Sequence, residues 1–227
     1  MKLVVLSGAG LSAESGLGTF RDKDGLWTKY DLSEVATPEG FAADPDKVFA
    51  FYNARRRNAV EAQPNAAHYA LAELEKALGD DLTLVTQNVD DLLERAGATS
   101  AIHMHGELMS ALCSECGHRE PWRGDLDATS VCNACGARAL RPDVVWFGET
   151  PYHLDRIYAA LEEADLFVSI GTSGEVYPAA GFVQTADQVG AKTLEINLAP
   201  TDGSRLFDRR ILGPASETVP AWVKTLI

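Results

Sequence analysis

The chain has 227 residues, 46% hydrophobic and 23% charged, with a formal net charge of −13. That size and balance fit one main core plus a small satellite module, with no need of disulfides. The acidic excess argues against nonspecific nucleic-acid binding, because neutralising phosphates needs clustered Lys and Arg.

The run Met1-Lys2-Leu3-Val4-Val5-Leu6 meets a glycine loop after four apolar residues, too short for a signal-peptide core or a membrane span. A cytoplasmic chain beginning directly with a structural strand is expected. Strand-like apolar runs follow at Leu82–Thr86, Ala101–Met104, Val144–Phe147, Leu166–Ile170 and Thr193–Ile196, after the first at Leu3–Leu6. Between them, Asp44-Pro45 is a cap and first-turn pair for a helix to about Val60, and Asn65–Leu78 ends at Gly79. Leu154–Ala164 and Ala179–Val189 supply two more helices, the second ending at Gly190. Alternating strands and helices predict an α/β fold with a parallel sheet covered on both faces, whose ligands bind beyond the carboxyl ends of strands.

Two stretches interrupt the alternation. Residues 22–64 delay the second strand beyond a normal crossover, and residues 107–142 hold all four cysteines with little periodicity. Both are read as insertions that build a smaller domain over the ligand edge. The expected division is a large Rossmann-like domain over approximately 1–24, 65–106 and 143–227. The small domain then takes approximately 25–64, a helical module, and 107–142, a zinc module.

The spacing Cys113-x₂-Cys116-x₁₅-Cys132-x₂-Cys135 supports the zinc reading. Two turn-like knuckles can present four thiolates tetrahedrally, leaving no open position for activating water. One structural Zn²⁺ is therefore expected, in preference to disulfides or a redox pair.

Gly8-Ala9-Gly10-Leu11-Ser12-Ala13 follows the first strand and matches the G-x-G-x-x-G/A pattern, in which glycines let the backbone approach a pyrophosphate. Taken alone it is suggestive of cofactor binding, with a glycine-rich turn as the alternative. An ordinary dinucleotide fold would put an acid at the tip of a second strand about twenty residues later. No such strand appears there, which disfavours a dehydrogenase.

The longer run from Gly8 through Glu14-Ser15-Gly16-Leu17-Gly18-Thr19-Phe20-Arg21 resembles the NAD-loop signature of the sirtuin family. Thr86-Gln87-Asn88-Val89-Asp90, His103-Met104-His105-Gly106, Phe147-Gly148-Glu149, Gly171-Thr172-Ser173 and Ile196-Asn197-Leu198 resemble further family landmarks, in the family's order. Two positions depart from the usual pattern: Gly18 stands where many relatives carry proline or arginine, and Leu93 replaces a histidine. Neither removes a group the chemistry needs.

The resemblance implies an NAD-consuming protein lysine deacylase that attacks the nicotinamide ribose with the acyl-lysine oxygen and releases nicotinamide and O-acyl-ADP-ribose. His105 matches the family's base, and neutral imidazole suits removal of a ribose hydroxyl proton near neutral pH. His103 is the bland histidine beside it. Asn88 is implied to orient the reacting ribose and Asp90 the carboxamide, with Gln87 and Val89 nearby; the same motif could also cap a following helix. Gly8, Ala9, Gly10, Ser12, Glu14, Ser15, Phe20, Arg21 and Trp27 are assigned to the cofactor loop, and Gly171, Thr172 and Ser173 to a strand end beneath it. Asn197, Leu198 and Ala199 are expected on the adenosine side, with Ala215 as an adenine backbone contact.

Val145, Phe147, Gly148 and Glu149, together with Val176 in Gly174-Glu175-Val176-Tyr177-Pro178, resemble two segments that grip substrate peptide as an added strand. Tyr52 and Arg55 lie three residues apart, hence on one face of the predicted helix. This segment resembles the branch that removes succinyl and malonyl groups, where such a pair binds the acyl carboxylate. Arg56 and Arg57 are read as solvated. Expected partners are acylated lysines of proteins, with neither membrane nor nucleic acid. Alternatives are a protein mono-ADP-ribosyltransferase on the same fold, an NAD-linked dehydrogenase, or a noncatalytic zinc-ribbon module.

Overall fold

The computed structural model describes residues 1–18 and 31–227. Strand β1 (Leu3–Ser7) leads into the glycine loop, and helices α1 (Leu32–Val35), α2 (Pro38–Ala43), α3 (Pro45–Glu61) and α4 (Ala66–Leu78) precede β2 (Leu82–Thr86). Helix α5 (Leu92–Ala96) and β3 (Ile102–His103) follow, then β4 (Gly106–Cys113), β5 (Arg119–Pro121) and β6 (Leu140–Val144). The chain continues through α6 (Leu154–Glu162), β7 (Leu166–Ile170), α7 (Phe182–Gln188), β8 (Lys192–Asn197), β9 (Arg209–Leu212) and α8 (Ala215–Val223).

Six strands form a parallel sheet in the order β3-β2-β1-β7-β8-β9. Both faces are buried, so β1 reads as an uninterrupted apolar run. Its odd residues Leu3 and Val5 pack with α4 and α8 through Leu71, Leu74, Val219 and Trp222. Its even residues Val4 and Leu6 pack with α6 and α7 through Ile157, Leu161, Phe182 and Val183. Chain order reverses between β1 and β7, the switch point where a ligand crevice is expected.

The second sheet is antiparallel, in the order β5-β4-β6. It is joined to α3 by a cluster that includes Val48, Phe51, Tyr52, Leu108, Met109, Val144 and Trp146. Asp44 caps α3 by accepting from Lys47 N at 3.0 Å, and Asn65 caps α4 by accepting from Ala67 N at 2.9 Å, as their residue types predict.

Several expectations need correction. Val144–Phe147 is not a strand of the parallel sheet: β6 ends at Val144 and pairs antiparallel with β4. Arg141 and Asp143 make β6 look polar in sequence, yet they are 8% and 3% exposed because their charges are paired inside the protein. Arg56 is not solvated. At 1% exposure it donates from Nε to Leu108 O at 2.6 Å and from Nη1 to Asn53 Oδ1 at 2.8 Å, pinning α3 onto β4. Arg57 is the exposed member, paired with Asp125 at 2.6 Å. No helix among the described residues is long and apolar enough to cross a membrane.

Candidate active site

The glycine loop lies against the end of β7. Gly8 N donates to Ile170 O at 2.9 Å and Gly10 N to Gly171 O at 2.7 Å. A Cβ on Gly10 would sit 2.7 Å from Gly171 Cα, and one on Gly8 would sit 2.8 Å from Thr172 Cβ, so glycine is required for contact between the two strand-end loops. The loop therefore crosses the switch point as a dinucleotide would need.

Ser12 is the centre of a buried network. Its hydroxyl donates to Asp90 Oδ2 at 3.0 Å, accepts from Asn88 Nδ2 at 3.1 Å, and lies 3.2 Å from His68 Nε2. Asn65 N donates to His68 Nδ1 at 3.2 Å, which assigns the remaining ring proton to Nε2 and makes Nε2 the donor to Ser12. The Ser12 oxygen thus has every valence fixed, which holds the Asn88 amide in one orientation. Burial pushes Asp90 above the usual carboxylate range, opposed by the Leu92 backbone and Ser12 hydroxyl. Burial also lowers His68 to about 4, so this imidazole is neutral. His68 escaped the sequence reading, in which Asn65 served only as the start of a helix; the available signal was a histidine three residues after an N-cap asparagine, the spacing of a capping box.

His105 occupies the turn between β3 of the large sheet and β4 of the small one. Its carbonyl accepts from Val145 N at 2.9 Å, and Tyr152 N donates to Met104 O at 2.9 Å. Gly106 follows with φ +80, and a Cβ there would lie 2.1 Å from Asp143 O, so β6 passes directly over the glycine. Burial lowers the His105 pKa against an opposing hydrogen bond with the Gln87 backbone, which keeps the imidazole neutral near pH 7. His103 is held differently: its Nδ1 is 3.0 Å from Asn88 O and its Nε2 is 3.0 Å from Glu94. Leu93, at 3% exposure, packs in the large core.

The other strand ends converge on the same edge. Gln87 Nε2 donates to Thr172 Oγ1 at 3.0 Å, and Asn197 Nδ2 donates to Thr172 O at 2.8 Å. Ser173 Oγ accepts from Glu175 N at 3.3 Å, while Leu198 is 72% exposed. Glu14 does not point its carboxylate into the crevice. It accepts from Ser216 N and Ser216 Oγ at 2.9 and 2.7 Å, capping α8 just after Ala215. Asn65 Nδ2 donates to Ser15 Oγ at 3.0 Å, tying the far end of the loop to α4. Phe20, Arg21 and Trp27 lie outside the described residues.

On the small-domain side, Phe147 is 46% exposed and its N–H donates to Ala36 O at 2.9 Å. Glu149 is fully engaged inside the protein: both oxygens bind Arg141, at 2.8 and 2.9 Å, and Oε2 also accepts from Trp146 N at 2.8 Å. Tyr52 and Arg55 do share one face of α3, with the guanidinium carbon 5.6 Å from the Tyr52 ring centroid. Burial lowers the Arg55 pKa, offset in part by Tyr52 and Asp90.

The four cysteines are free and their sulfur atoms all lie within 4.8 Å of one another. Cys113 Sγ is 3.7 Å from Cys135 Sγ, and Cys116 Sγ is 3.8 Å from Cys132 Sγ. A tetrahedron with zinc–sulfur bonds of about 2.3 Å has edges of about 3.8 Å, so the geometry fits zinc and excludes disulfides. The two knuckles are built alike: Gly117 N donates to Cys113 O and Gly136 N to Cys132 O, each at 2.9 Å, with φ of +73 and +76. Four sulfurs close the coordination sphere, which makes the site structural.

Comparison with known proteins agrees with this geometry. The model of the Sir2 family matches residues 8–178. A Caulobacter vibrioides protein named NAD-dependent protein deacylase is 59% identical over 231 residues, covering 100% of this chain and 97% of its own. A Sir2 homologue solved as an NAD complex superposes with a TM-score of 0.91 at 43% identity, covering 99% of this chain and 89% of that one. Sir2Tm bound to a propionylated peptide gives a TM-score of 0.83 at 25% identity, covering 99% and 92%. The chain belongs to the Sir2 family.

Proposed function

We propose that this chain is an NAD-dependent protein lysine deacylase that accepts succinyl- and malonyl-lysine, and also acetyl-lysine, releasing nicotinamide and an O-acyl-ADP-ribose. The observation that carries the reading is the buried Ser12–Asn88–Asp90 network at the switch point, with a neutral His105 beside it. Relatives named as deacylases, one homologue crystallised with NAD and another with an acylated peptide support the same assignment.

In this reading NAD supplies the activated glycosidic bond that makes the lysine amide oxygen an adequate nucleophile. Gly8, Ala9 and Gly10 approach the pyrophosphate, and Asn88 orients the reacting ribose. Asp90 receives the carboxamide from within the network, and the Asn197 and Ala215 side holds the adenosine. His105 accepts the ribose hydroxyl proton, a task for which its burial-lowered pKa leaves it unprotonated. Val145, Phe147, Gly148 and Val176 line the peptide, and Glu149 acts through Trp146 and Arg141. The large domain, approximately 1–24, 65–106 and 143–227, carries the cofactor; 25–64 and 107–142 close over it. The cytoplasm, a reducing compartment, is the location proposed, and four thiols kept free for a metal support it.

Tyr52 and Arg55 read the acyl carboxylate. Support comes from their shared helix face, the 5.6 Å approach of the Arg55 guanidinium to the Tyr52 ring, the electrostatic pull of Asp90 on Arg55, and the cluster that Tyr52 shares with Val89. The test is intact mass spectrometry of acetyl-, malonyl- and succinyl-lysine peptides incubated with protein and NAD. Acyl loss is expected; gain of ADP-ribose would assign a transferase instead, and NADH without peptide change a dehydrogenase. Arg55→Met should depress desuccinylation at least tenfold more than deacetylation, from loss of a charge-assisted contact of about 1.5–3 kcal/mol. Equal losses would remove the carboxylate role.

A further inference from the structure

Tyr52 has an orienting partner that the functional reading leaves unused. Trp146 Nε1 lies 3.1 Å from the Tyr52 hydroxyl, and both residues are buried, at 2% and 1% exposure. Indole N–H is a donor only, so the phenol oxygen accepts this bond. Arg55, whose guanidinium carbon lies 5.6 Å from the Tyr52 ring centroid, is also a donor only and offers the phenol no acceptor. The phenol's own hydrogen then points away from both, and no acceptor for it is found among the described residues. A buried donor without an acceptor is a standing cost that a bound acceptor would relieve.

Trp146 is itself fixed. Glu149 Oε2 accepts from the Trp146 backbone at 2.8 Å, and the same carboxylate grips Arg141 in a two-pronged pair at 2.8 and 2.9 Å. The Arg141 guanidinium carbon lies 3.9 Å from the Trp146 ring centroid, and Phe41 packs on the indole at 5.1 Å between centroids. One carboxylate therefore anchors both the backbone of Trp146 and the cation that covers its ring. Val145, the preceding residue, is bonded to the His105 carbonyl, so this assembly is contiguous with the reacting centre.

We propose that Trp146 is a positioning residue that sets acyl specificity: its indole N–H makes the Tyr52 hydroxyl a dedicated donor to an acyl carboxylate. Arg141 and Glu149 are the clamp that holds the indole in place. The inference rests on the carboxylate-reading role of Tyr52 and Arg55. A methyl-terminated acetyl group offers that proton no partner at the same depth, whereas succinyl and malonyl groups end in one.

The test uses the full chain with NAD and measures kcat and KM for succinyl- and acetyl-lysine peptides. Trp146→Phe keeps an aromatic ring beneath Arg141 and removes the donor, together with part of the indole's buried volume, which affects both peptides alike. The ratio of succinyl to acetyl kcat/KM should fall about fivefold to tenfold, the loss appearing in the succinyl KM. Tyr52→Phe should lower the same ratio, and adding Trp146→Phe to it should cause no further fall, because the indole acts only through that hydroxyl. If Tyr52→Phe lowers the ratio while Trp146→Phe leaves it alone, or if the two losses multiply, the inference is overturned and the carboxylate reading stands. If neither Tyr52→Phe nor Arg55→Met moves the ratio, the carboxylate reading itself has failed. Should Trp146→Phe melt below the assay temperature, Glu149→Gln loosens the clamp with the indole present. A threefold fall in the ratio then supports the proposal, and an unchanged ratio overturns it.

Discussion

The buried His68 makes a sharp prediction about acid stability. Its folded pKa is about 4, against 6.5 for an ordinary imidazole. The unfolded chain therefore binds the extra proton between those values, and stability falls as pH drops through about 6.5 and flattens near 4. The full loss from this one ring approaches about 3 kcal/mol, with about 2 kcal/mol already gone between pH 7 and pH 5. His68→Gln provides the contrast: glutamine at the third helical position can still reach back to Asn65 N, as in a capping box, but does not titrate. Urea unfolding followed by tryptophan fluorescence, at steps from pH 7 to pH 5, would compare the two proteins. The variant should start less stable, because the bond from His68 to Ser12 is lost, and its profile should be flatter by about 2 kcal/mol. Any acid loss of zinc is common to both and cancels in the difference. Parallel profiles would show that His68 protonates in the folded state at little cost and that the neutral-donor assignment to Ser12 is wrong.

Gly10→Ala should abolish NAD binding in calorimetry while leaving the melting temperature within a few degrees, because its Cβ would collide with Gly171 and part the two strand-end loops. Arg56→Met should cost about 2–3 kcal/mol in urea unfolding, since it strips the partner from the buried Leu108 carbonyl and from Asn53; a loss under about 0.5 kcal/mol would return this arginine to the solvated class. Zinc removal by chelation should increase hydrogen exchange in residues 107–142 and spare β1, β2, β7 and β8, and uniform protection before and after removal would count against a structural metal.

The parts of the fold legible in sequence are those where local chemistry and tertiary burial agree. The apolar β1, β2 and β7 runs are buried on both faces, and the Asp44 and Asn65 caps act locally, so their signals survive into the structure. The small sheet was opaque for the opposite reason. Strands β4 and β6 pair partners at least 27 positions apart in the chain, and β6 hides Arg141 and Asp143 in ion pairs that no local pattern announces. The same blindness turned Arg56 into a surface residue. At the candidate site, motif resemblance singled out His105, Asn88 and the glycine loop, while His68 escaped it, because its bond depends on Ser12 meeting α4 across 56 positions of chain. The intramolecular partners of Glu14 and Glu149 were equally hidden: their carboxylates cap α8 and hold the Trp146 backbone.

The closeness of β6 to Gly106 has a mechanical corollary. With no volume for even a methyl group there, and with Met104 and His105 bonded to Tyr152 and Val145, the junction between the sheets is a weld rather than a hinge. Any change in the angle between the two sheets must be absorbed outside this junction, which keeps the His105 backbone fastened to both.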